Sequence, residues 1–242
     1  MNGFDIALSL AALVLGAAVQ AVTGFGFALL AIPVIALNFH PAVAIVVASL
    51  AGGVLTANSM WRDRRYISVP HVTVVCLAAF AGMPVGVAVL LLAPERVVTG
   101  LVAVVVLIST ALLYRGVRLP RGRQTEISVG LLSGALMTST GINGPPLVIA
   151  FQSQGMAPRI FRASLAAVFT AQRIVAIVLI ALAGKIGREA LVLSALGIPA
   201  VLLGWEAGNG VFQRLDAARF RTVVLCMLML SGLAALASAV FE

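Results

Sequence analysis

Two short stretches carry most of the groups that could hold a ligand. "TGFGF" supplies Thr23, Gly24 and Gly26, and "TGING" supplies Thr140, Gly141, Asn143 and Gly144. Glycine lets a ligand approach the backbone closely, and helix-terminal N–H groups bind anions. The Thr and Asn side chains add polar contacts. A third element is the adjacent pair Gln172-Arg173. The planar guanidinium of Arg173 presents its donors as a fork that suits carboxylate, sulfonate or sulfite oxygens. Glu206, in "LLGWEAGNGVF", is the acid that could balance Arg173 or carry a coupling proton; it could equally face water at the end of its helix.

This chemistry is binding rather than bond-making. The chain has no P-loop, no zinc-ligand spacing and no His-Glu-x-x-His. Ser139 as a nucleophile would need a neighbouring base. His40 and His71 both fall at the ends of apolar segments, away from it. No enzyme, metal or cofactor is therefore expected. Cys76 and Cys226 sit inside apolar runs and read as packing thiols.

The elements that must position these residues are membrane helices. The chain of 242 residues is 62% hydrophobic and 10% charged, against about 25% charged in soluble domains; its mean hydropathy is +1.13. Apolar segments run over 6–37, 41–60, 69–93, 97–114, 127–151, 163–183, 190–212 and 220–241. The fold class is all-α and polytopic, with the lipid bilayer as a partner. The formal charge of +8 lies mostly in short loops, so it sets orientation rather than binding nucleic acid. Arg173 lies well inside 163–183, at midplane depth, where a charge costs a few kcal/mol and needs a partner or a wet cavity.

The chain also repeats itself. A spacing of 117 residues relates Thr23-Gly24 to Thr140-Gly141, Ala18 to Ala135, Ile32 to Ile149 and Pro41 to Pro158. A spacing of 122 relates Gly82 and Gly86 to Gly204 and Gly208. The division is an N-terminal repeat 1–114, a basic linker 115–125 and a C-terminal repeat 126–242. Segment 6–37 is too long for one span and breaks at "TGFGF" into arms of about 17 and 11 residues; in 127–151 the arms are about 14 and 9. Short arms of that length cover about half of a ~30 Å core, which predicts re-entrant hairpins with tips near the midplane. Gly-x-x-x-Gly pairs at 82/86, 130/134 and 204/208 read as helix contact surfaces.

Arginine placement bears on the topology. With one re-entrant hairpin and three crossings per repeat, one side holds Arg62, Arg64, Arg65, Arg115, Arg118, Arg121, Arg123, Arg159, Arg162, Arg214, Arg219 and Arg221. The other holds only Arg96, Lys185 and Arg188. With eight full crossings the split falls to nine against six. The positive-inside rule favours the first arrangement, with inverted repeats, cytoplasmic basic loops and both termini outside.

These paired motifs, "TGFGFALLAIPVIAL" and "STGINGPPLVIAF", each opening one of two related halves, resemble the TauE/SafE sulfite exporter family. The resemblance covers nearly the whole chain. It implies a multi-pass protein of the bacterial inner membrane and secondary transport of sulfite, sulfoacetate, other organosulfonates or further small organic anions. It points to the two motif cores as the site. The expected function is alternating access around a midplane anion site formed by Thr23, Gly24, Gly26, Thr140, Gly141, Asn143, Gly144, Gln172 and Arg173. An anion channel of the same architecture, a carrier of non-sulfur anions, and a homodimer remain open alternatives. An inside-negative membrane potential favours anion export.

Overall fold

A computed structural model describes residues 2–212. The expected segment 220–241, with Arg214, Arg219, Arg221 and Cys226, lies outside the described residues. Within them the chain is all-helical: α1 (Gly3–Thr23), α2 (Phe27–Ala36), α3 (Pro41–Arg62), α4 (Val69–Leu92), α5 (Glu95–Arg115), α6 (Arg123–Ser139), α7 (Gly144–Ser153), α8 (Pro158–Leu182) and α9 (Arg188–Phe212). Pro41 and Pro158 open α3 and α8. There the missing N–H costs nothing and the fixed φ suits the first turn. Stretches of α1, α3, α4, α5, α8 and α9 are long and apolar enough to cross a bilayer.

Each half opens with a broken helix. The second arms, α2 and α7, have 10 residues each, a length of about 15 Å. The first arms exceed the lengths expected from sequence: α1 has 21 residues and α6 has 17. The difference has a local cause. Asn2 and Asp5 form a capping box that starts α1 before the apolar run begins, and α6 starts three residues upstream of Glu126.

Small residues decide which helices touch. A Cβ on Gly82 or Gly86 of α4 would run into the backbone of Leu131 or Ala135 of α6. A Cβ on Gly204 or Gly208 of α9 would run into the backbone of Val14 or Ala18 of α1. Gly130 and Gly134 answer from α6 against Val75 and Ala79. All three expected Gly-x-x-x-Gly surfaces are thus helix contacts. The partners follow the sequence spacings: Val14 and Ala18 lie 117 residues before Leu131 and Ala135, as Gly82 and Gly86 lie 122 before Gly204 and Gly208.

Helices α3 and α8 run antiparallel. Asp63, just past the end of α3, accepts a hydrogen bond from Arg159 Nε in the first turn of α8 at 3.2 Å. Further along α8, Arg173 reaches back to Ala48 in α3. One apolar core gathers Leu13, Phe27, Ile32 and Ile45 around α1–α3. A second gathers Leu147, Phe151, Val168 and Phe169 around α7 and α8.

Candidate anion site

Both breaks turn on a glycine in the left-handed region, Gly24 at φ 80° and Gly141 at φ 72°. A side chain there would be strained. Each is preceded by a threonine that caps the turn. Thr23 Oγ1 donates to the Val19 carbonyl at 2.9 Å and accepts the Phe25 N–H at 3.2 Å. Thr140 Oγ1 does the same with Leu136 (2.9 Å) and Ile142 (3.3 Å). The hydroxyl protons are thus engaged locally. Both threonines cap their turns, because a helix that stops in an apolar interior must satisfy its own end groups.

The turns also lie away from mid-depth. Gly24 packs against Arg162, the fifth residue of α8, and Gly141 packs against Ile45, the fifth residue of α3. These two contacts are mates at the 117-residue spacing. Each turn thus lies near one end of the helix it packs against, past the middle of the bundle. The starts of α2 and α7 are what meet there. A cavity between them is lined by Gln20, Gly26, Phe27, Asn143, Gly144 and Arg173, among others. It measures about 10 Å³, roughly room for one water molecule.

The two helix starts are unequal as donors. Gly26, at φ 101°, leads into Phe27, Ala28 and Leu29, three N–H groups at a helix N-terminus. In α7 the second and third positions are Pro145 and Pro146, which carry no N–H. That start contributes Gly144 N–H and the side chain of Asn143 instead.

Arg173 is 3% exposed. One Nη donates to the Ala48 carbonyl, and the guanidinium carbon lies 5.7 Å from the Phe27 ring centroid. Its Nε is buried without a partner among the described residues. Gln172 is oriented by its neighbours: Oε1 accepts from Asn143 Nδ2 at 2.6 Å and Ser133 Oγ at 3.1 Å. That leaves Gln172 Nε2 as a second buried donor without a partner. A buried unpaired donor is costly, more so when charged. Each of the two, on consecutive residues of α8, calls for an acceptor.

Gly52, Ser133, Ala48 and Phe27 complete the site and were not singled out from sequence. A Cβ on Gly52 would overlap the Arg173 guanidinium and press on Phe27. Its only signal is the pair "GG" inside an apolar helix, and neighbouring Gly53 meets nothing within 4 Å. The Glu206 side chain is 68% exposed and 3.8 Å from Arg62, and it makes no ion pair with Arg173. Helix phase explains this, since α9 turns Gly204 and Gly208 inward to α1. His40 and His71 hold the acids Glu95 and Glu126 near segment ends. No cluster of metal-ligating side chains occurs among the described residues.

Residues 8–235 match the family model described as sulfite exporter TauE/SafE. The chain belongs to the TauE/SafE family. Comparisons with curated proteins and with solved structures find no match. As a TauE/SafE protein with several apolar spans, it is a multi-pass membrane transporter.

Proposed function

We propose that this TauE/SafE protein is a secondary exporter of small sulfur oxyanions, sulfite or an organosulfonate such as sulfoacetate, held between the starts of α2 and α7. The unpartnered Arg173 Nε carries the reading. A fixed cation placed beside two helix N-termini matches a compact anion with several oxygens. The cavity has about one water's volume, so the helix starts must part to admit the anion, as a carrier that rocks about its site would do. Residues 1–114 and 126–242 act as inverted halves joined by 115–125, rocking about this site. The antiparallel run of α3 and α8, each opened by its equivalent proline, supports that inversion. Cysteines replacing Val117 and Ile160 should then be labelled from the same, cytoplasmic, side; labelling from opposite sides would refute it. An inside-negative potential drives an anion outward with about 2.3 kcal/mol per charge per 100 mV.

The test is sulfite flux in proteoliposomes. Arg173→Gln should lower flux more than 100-fold, and Arg173→Lys should retain a measurable fraction because the charge stays while the fork is lost. Wild-type flux in Arg173→Gln would remove the site assignment.

A further inference from the structure

A second polar cavity opens at the basic end of the molecule. It is lined by Gln20, Gly24, Ser59, Arg62, Asp63, Arg162, Ala166 and Trp205, and measures about 40 Å³. That is room for about three waters, or for one oxyanion of four heavy atoms. Trp205 is 5% exposed, and its indole N–H has no partner among the described residues. Indole is a donor only, so what it lacks is an acceptor. Arg162 donates one Nη to the Ala21 carbonyl at 3.0 Å. No acid pairs it among the described residues. The acids nearby are engaged elsewhere: Asp63 accepts from Arg159, and Glu206 faces outward toward Arg62.

We propose that this cavity is a second anion site, a waiting station at the basic mouth, in which Arg162 and the Trp205 N–H hold the same small oxyanion before it reaches Arg173. The proposal rests on the transport reading above for its purpose, though not for its existence. Gln20 is what joins the stations, because it lines both cavities. Its carboxamide can follow an anion from Arg162 toward Arg173. At the other end the two equivalent positions are apolar. There the position of Arg162 is taken by Ile45, and Ile32 and Ile45 close over Gly141. The position of Gln20 is taken by Met137. The cavity at that end is wider, about 640 Å³, and its lining is richer in acids (Asp5, Glu95, Glu189) than in arginine (Arg96), so among the described residues the mainly cationic approach is the one at Arg162. This asymmetry would let the carrier load at low concentration from the basic side and release without recapture on the other.

Trp205 itself can report on the site. The chain has two tryptophans, and Trp61→Phe leaves Trp205 as the sole emitter. In this full-length variant in nanodiscs, titration with sulfite, with chloride as control, should change Trp205 emission saturably. The change should persist after Arg173→Gln and vanish after Arg162→Gln. A sulfite response that is absent, that disappears with Arg173→Gln, or that survives Arg162→Gln would overturn the proposal. Failure of the transport reading looks different: no sulfite flux from wild-type liposomes, with the Trp205 response intact. As a second measurement, Trp205→Phe should raise the half-saturating sulfite concentration on the basic side about three- to tenfold, with the maximal rate and folded yield kept. An unchanged half-saturation would count against the station.

Discussion

The two breaks, Thr23–Phe27 and Thr140–Gly144, share a backbone plan and differ in what surrounds them. Each has a threonine cap, a left-handed glycine and a short second arm. Their packing partners are mates as well, sometimes with sizes exchanged: Phe27 lies beside Gly52, and Phe169, at Gly52's equivalent position, lies beside Gly144. Charge breaks the equivalence. Arg173 occupies the position equivalent to Thr56, and Thr56 only donates to its own helix, to the Gly52 carbonyl at 3.0 Å. Arg162 stands where the other half has Ile45. Duplicated packing thus makes a scaffold with two similar helix starts. Point differences on α8 then put the cationic groups beside them.

The largest expected effect tests that division directly. Gly52→Ala places a methyl group in the volume of the Arg173 guanidinium. Sulfite flux should fall at least 100-fold, close to the loss in Arg173→Gln. Gly53→Ala on the same helix should stay within twofold. Gly144→Ala, at the mate of Phe27, would meet Phe169 and Phe25 only at ordinary contact distances of 3.7 and 3.8 Å. It should fold normally and lose far less flux than Gly52→Ala. Equal losses at Gly52 and Gly144 would mean that the halves contribute alike to the site, and the asymmetry drawn above would fail.

Much of this arrangement was legible in the sequence, for reasons that also explain what was not. Long apolar runs report membrane helices because no other structure satisfies a lone segment's backbone in lipid. The breaks showed because glycine and proline clusters interrupt such runs. Arg173 showed because a charge deep in a span has few innocent explanations. Arm length was misjudged because caps such as Asn2 and Asp5 extend a helix through polar residues. Gly52 stayed hidden because a glycine that admits a neighbouring guanidinium looks like any other small residue in a packed span. Glu206 stayed ambiguous because helix phase, not composition, decides which way a side chain near a span's end points. Gln20 is a polar residue in an apolar arm, and its place between two cavities depends on packing among α1, α3, α8 and α9, which no local pattern reports.

The smallest expected effects concern the threonines, which test whether the shared plan is structural. Thr23→Val and Thr140→Val remove the hydroxyl but keep the side-chain shape. Each deletes an acceptor for one backbone N–H, Phe25 in the first case and Ile142 in the second. Loss of such a cap costs about 1 kcal/mol. Both variants should therefore lower Tm by a few degrees and by similar amounts, since the two caps have matching geometry. Sulfite flux should drop no more than about threefold in either, because neither hydroxyl proton is turned to the ligand. A tenfold rise in half-saturating sulfite without a change in Tm would instead make that threonine a direct ligand contact. If this occurred at Thr23 alone, the first break would be both the mouth and the binding surface, and the second would serve chiefly to hold Asn143 against Gln172.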